Sequence, residues 1–93
     1  YADAYNNLGI VLVAEGKNEE AISHYKMAIK IKPDFAKAHY NLGNALSAEG
    51  KNEDAISHYK MAIGLKPDYA EAQKNLKRLS GQWRFRILSK ELV

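Results

Sequence analysis

Two Ser-His pairs, Ser23-His24 and Ser57-His58, are the residues whose types come nearest to chemistry, because a hydroxyl beside an imidazole is the raw material of nucleophilic catalysis. Neighbours on a helix diverge by about 100° around its axis, so neither pair can act as a local dyad. His24 and His58 also occupy equivalent places in a repeated segment and invite a metal-ligand reading. Neither has a Cys or a second His at ligand spacing, and Lys26 and Lys60 close by disfavour a cation, so solvated surface positions are expected. Met27 and Met61 read as ordinary packing or surface residues. There is no Gly-rich phosphate loop and no nucleophile elbow. A chain that is not an enzyme and needs neither cofactor nor metal is the expectation.

The elements that carry these residues are organised by a repeat. Residues 1–34 and 35–68 align without a gap at a period of 34, identical at about 24 positions, and Tyr69-Ala70-Glu71-Ala72 opens a third copy. The match is densest where AEGKNEEAISHYKMAI at 14–29 returns as AEGKNEDAISHYKMAI at 48–63. Apolar residues recur at helical spacing within a copy: Ala4, Leu8, Val11 and Leu12, then Ala21, Ile22, Tyr25, Ala28 and Ile29. Two amphipathic helices per copy follow. Gly16 and Gly50 supply a left-handed residue to end the first helix, and Asn18 and Asn52 can cap the second, with acidic residues in its first turn. Pro33 and Pro67 stop the second helix, and Asp34 and Asp68 are placed to cap the next one.

With Tyr5, Leu8-Gly9, Ala21, Tyr25, Ala28 and Pro33 in one copy, and His39, Leu42-Gly43, Ala55, Tyr59, Ala62 and Pro67 in the next, residues 1 to about 80 resemble the tetratricopeptide repeat family. The resemblance implies an all-α fold, a right-handed superhelical array of antiparallel helix-turn-helix repeats. Gly and Ala let helices approach closely, and Leu and Tyr fill the space between them. His39 stands in place of the usual aromatic. Asn18 and Asn52 stand where the family often has an aromatic, which predicts looser packing at that turn.

The expected organisation is a single domain of repeat 1 (1–34), repeat 2 (35–68), a capping helix (69–80) and a non-repeat tail (81–93). In the third copy Lys77 replaces the Gly of positions 9 and 43, tolerable where no further helix packs. The tail reads two ways. Ala72, Leu76, Leu79, Trp83 and Ile87 continue a helical stripe through Gly81, the favoured reading, whereas Trp83, Phe85 and Ile87 alternate as a strand would.

The resemblance further implies a concave groove lined by first helices, and hence a protein or extended peptide as partner. The outward positions are Asp3, Asn6, Ile10 and Val13, then Lys37, Tyr40, Asn44 and Ser47, then Glu71, Lys74 and Arg78. Asn7, Asn41 and Asn75 recur once per copy as a ladder; in relatives such as the O-linked sugar transferases, asparagines here hold peptide backbones, and an amide can satisfy both an N–H and a C=O. The bland alternative is that they satisfy neighbouring groups. Some relatives instead clamp a terminal carboxylate with Lys, Asn and Arg. Asn6, Ile10, Asn41, Glu71 and Asn75 stand at those places, and Asn41 alone matches. Glu71 would repel a carboxylate. The expected groove therefore centres on Tyr40, Asn41, Asn44 and Asn75, with Asn7 at one end and Lys37, Lys74 and Arg78 favouring an acidic or mixed-charge segment.

Composition sets the competing readings. Residues 1–68 carry a net charge of −1 and residues 69–93 carry +4, so the basicity belongs to the last segment. That segment interleaves aromatics with arginines, but its charge is sparse for a phosphate binder, and nucleic acid is disfavoured. Self-association into a homo-oligomer is the main alternative, since the first helix presents Ile10, Val11 and Leu12 and the tail presents Trp83, Phe85 and Ile87. No apolar run approaches the roughly 18 residues of a membrane span. With no cysteine, a cytoplasmic setting is expected. The chain opens in phase with its repeat and without an initiator methionine, which fits an excerpt of a longer protein or an assembled design.

Overall fold

Each copy of the repeat folds as the two-helix unit its spacing predicts. The computed structural model describes the backbone of residues 1–91 and the side chains of residues 1–81. Five helices follow in order: α1 (Ala2–Ala14), α2 (Asn18–Ile31), α3 (Ala36–Ala48), α4 (Asn52–Leu65) and α5 (Ala70–Glu91). There is no strand among the described residues. Each helix packs mainly on the next in the chain, and α1 also touches α3.

The turns within repeats are set by two left-handed glycines, Gly16 at φ 80° and Gly50 at φ 78°. At the first, Gly16 N–H donates to Val13 O and Lys17 N–H donates to Leu12 O, at 2.9 and 2.8 Å. This pair of bonds satisfies the carbonyls that a helix end leaves open. The helix starts differ from expectation. Asn18 and Asn52 are the first helical residues, Lys17 and Lys51 precede them, and no side chain caps either helix. Phe35, not Asp34, stands at the start of α3, again without a side-chain cap. Backbone geometry at the turns, with acidic residues in the first turns of α2 and α4, takes the place of capping.

Close approach across the helix pairs depends on Gly9 and Gly43. A Cβ on Gly43 would sit 2.7 Å from Tyr59 Cε1, and one on Gly9 would lie closer still to Tyr25 Cε1. The core runs through Leu12, Ile22, Tyr25, Leu42, Leu46, Tyr59 and Leu79. The apolar stripe of α1 divides on a second criterion. Leu12 is buried, but Leu8 and Val11 are 44% and 51% exposed, whereas their equivalents Leu42 and Ala45 are 0% and 2% exposed. In α3 that face is covered by α2; α1 has no such neighbour among the described residues. The inner face of α1 is instead Ala2, Asn6, Gly9 and Leu12.

Helix α5 continues through Gly81 to Glu91, in keeping with the stripe and against the alternating reading of the tail. The side chains of Trp83, Phe85 and Ile87 lie outside the described residues.

Candidate functional site

Helices α1, α3 and α5 are the first helices of successive copies, and side-chain amides link them in a row. Asn41 Nδ2 on α3 donates to Asn6 Oδ1 on α1 at 3.0 Å. One repeat further, Asn75 Nδ2 on α5 donates to Asn44 Oδ1 on α3 at 3.0 Å and lies 3.4 Å from the Tyr40 hydroxyl. The asparagines thus bond diagonally, each to the first helix of the preceding copy, and not to their own equivalents. Asn6, read from sequence as outward, is 3% exposed and is the acceptor in this row. Asn7 is exposed. Among the described residues the side-chain oxygens of Asn41 and Asn75 have no hydrogen-bond partner, so each half-buried amide still offers an acceptor.

The two joints differ in what lies beneath the row. At the second, the Tyr59 hydroxyl also donates to Asn44 Oδ1, so one oxygen takes two bonds, its full capacity. Burial raises the Tyr59 phenol above its usual pKa. At the first joint Ile10 stands where Asn44 does, and the Tyr25 hydroxyl makes no hydrogen bond among the described residues. Tyr25 lines an opening of about 200 Å³ between α1, α2 and α3, together with Ile10, Val13, Asn41, Ala45 and Ala48. Asn18 also borders it.

A second hollow of about 630 Å³ lies between α3 and α5, lined by Ala36, Lys37, Tyr40, Lys66, Tyr69 and Glu71. Tyr40 holds it open from one side, tilted against Tyr69 at 5.0 Å and Tyr59 at 6.0 Å between ring centres. Lys66 Nζ lies 4.8 Å from the centre of the Tyr69 ring. Lys37, Lys74 and Arg78 are all exposed.

The histidines are placed otherwise than expected. His58 is half-buried, and its partner is His39, not His24: the two Nδ1 atoms are 3.1 Å apart. His39 is 2% exposed, and its Nε2 contacts Pro33 O at 3.0 Å. With Nε2–H donating to that carbonyl, His39 Nδ1 is the acceptor and His58 Nδ1–H the donor. Burial, followed by the charge of His39, lowers the His58 pKa. His24 is half-buried beside Tyr5, with Nδ1 2.8 Å from Glu20 O. The positional signal was present, because Tyr5 and His39, like His24 and His58, are 34 residues apart. No group of three or more metal-ligating side chains occurs among the described residues.

Comparison with known proteins decides the family. A family model described as TPR repeat matches residues 10–50, and another, described as Tetratricopeptide repeat, matches residues 36–69; together they span well over half of the sequence. The chain belongs to the tetratricopeptide repeat family. A solved structure similar to this tetratricopeptide array is the first TPR of Spaghetti (RPAP3), bound to the HSP90 peptide SRMEEVD. It is 24% identical with a TM-score of 0.88, over 90% of this chain and 67% of that one. At that identity the likeness establishes the fold. No curated protein matches. No helix among the described residues is long and apolar enough to cross a membrane.

Proposed function

We propose that this tetratricopeptide array is a non-catalytic scaffold that binds an extended peptide or protein segment along the face shared by α1, α3 and α5. The carrying observation is the amide row, in which Asn41 and Asn75 are held by donating to the first helix of the preceding copy while their oxygens have no partner among the described residues. An acceptor fixed in this way can take a backbone N–H at little cost in side-chain entropy. The asparagine-lined groove of the O-linked sugar transferases is one family precedent for such a row. The structural neighbour was solved with a peptide bound, which supports the same class of partner. Recognition of a terminal carboxylate is not supported, because Glu71 and Ile10 stand at positions of the clamp.

The test is affinity for a capped extended peptide selected from an array, measured by calorimetry. Asn41→Ala and Asn75→Ala should each weaken binding by about 0.5–1.5 kcal/mol, the net worth of one hydrogen bond. Unchanged affinity in both variants would remove the amide row from the account. A second reading, self-association through the end of the array, draws on the exposure of Leu8 and Val11. Sedimentation that shows only monomer at every micromolar concentration would dismiss it.

A further inference from the structure

The second joint shows what the first one lacks. Tyr25 and Tyr59 are equivalent residues, 2% and 0% exposed, each packed over the glycine of its own repeat. Tyr59 donates to Asn44; Tyr25 faces Ile10 at the equivalent place and makes no hydrogen bond among the described residues. Yet no buried side-chain oxygen or nitrogen among these residues is left without a partner. The Tyr25 hydroxyl therefore reaches solvent, and Tyr25 lines the opening between α1, α2 and α3. A phenol held by packing beside such an opening, with no acceptor among the described residues, can donate to a ligand that enters it.

We infer that this hollow is a subsite for one branched aliphatic residue of an extended peptide, with the Tyr25 hydroxyl donating to that residue's backbone carbonyl. The inference rests on the groove reading for its direction, and specifies what the groove selects. Size agrees: the opening measures about 200 Å³, more than the ~150 Å³ of an apolar cavity that holds benzene. Chemistry agrees as well. The walls are Ile10, Val13, Ala45 and Ala48, and no lining residue is charged, so a charged side chain would lose its hydration without a counter-ion. Asn41 stands at the rim, where the same residue's N–H would find its unoccupied oxygen. Asn18 and Asn44 complete the border.

The test uses N-acetyl-valine methylamide as probe, titrated into the isotope-labelled chain and followed by backbone amide shifts. A fragment of this size should saturate with Kd on the order of millimolar, its shifts centred on Ile10, Asn41 and Ala45. Tyr25→Phe removes the hydroxyl and keeps the ring, and should weaken the probe by roughly 2- to 10-fold. Ile10→Asn supplies the internal acceptor found at the second joint and should weaken it at least as much; Ile10 is 42% exposed, so this variant keeps the fold if the first does not. N-acetyl-aspartate methylamide should not saturate. The subsite is overturned if the valine probe gives no saturable shifts, if both variants bind it as the parent does, or if the aspartate probe binds equally. A saturating fragment alongside inert long peptides would remove the groove reading and leave the subsite standing.

Discussion

The joint between the two repeats and the joint between repeat 2 and α5 use equivalent positions, and they handle their polar groups in opposite ways. At the second joint the Tyr59 hydroxyl and the Asn75 amide both donate to Asn44 Oδ1, so the buried tyrosine finds its acceptor inside the protein. At the first, Ile10 replaces the acceptor, Asn41 turns to Asn6, and the Tyr25 hydroxyl is left to solvent. The second joint uses its tyrosine to hold the seam, whereas the first leaves its tyrosine for a ligand. Two differences between the copies separate them, Ile10 in place of Asn44 and Asn6 in place of Tyr40.

The comparison extends to the apolar positions, where the largest effect is expected. Leu42→Ala empties a fully buried site between α2, α3 and α4 and should cost about 2–5 kcal/mol in chemical denaturation. Leu8→Ala, the same change one period earlier, should cost far less, within about 1 kcal/mol, because Leu8 is 44% exposed. Equal costs would mean that the end of the array is covered in solution. A smaller contrast is expected from the tyrosines. Tyr59→Phe should destabilise by about 0.5–1.5 kcal/mol and leave Asn44 with one donor fewer, whereas Tyr25→Phe should be near neutral in stability.

Acid gives the smallest effect, and it acts inside repeat 2, at the His39–His58 contact between α3 and α4. The unfolded chain protonates the His58 imidazole near its ordinary value of 6.5, while burial and His39 move the folded value lower. Between those two values the unfolded state binds more protons, so this contribution to stability is complete above 6.5 and is lost as pH falls below it. Asp54 opposes the shift and Lys26 adds to it. Denaturation midpoints across this range should fall on acidification in the parent and stay flat in His58→Gln. A parallel fall in both would assign the acid effect elsewhere.

Much of the architecture was legible because the repeat tests each signal twice. The period of 34, the left-handed glycines at 16 and 50, and the close approach over Gly9 and Gly43 all follow from residue type at fixed spacing. What a helical stripe does not reveal is which neighbour covers it. Leu8 and Leu42 sit in the same Asn-Leu-Gly tripeptide, and the presence of α2 beside α3 accounts for the difference in their burial. The capping role of Asn18, Asn52 and Asp34 failed for a related reason: a capping residue type is necessary for a side-chain cap, but backbone turn geometry chooses whether it is used. For the amide row, residue identity gave the members and the diagonal partners had to come from the helix offset. The difference between Ile10 and Asn44 was visible in the alignment, yet it gains meaning only once the tyrosine beneath is located.

One contact repeats with a change of chemistry. Pro33 O meets the His39 imidazole at 3.0 Å, and Pro67 O, one repeat later, accepts from Gln73 Nε2 at 2.6 Å. Any flat side chain with an N–H at the right reach can therefore fasten one unit to the next. A longer array could mix such fasteners freely and keep its pitch, with an imidazole at one link and an amide at the next.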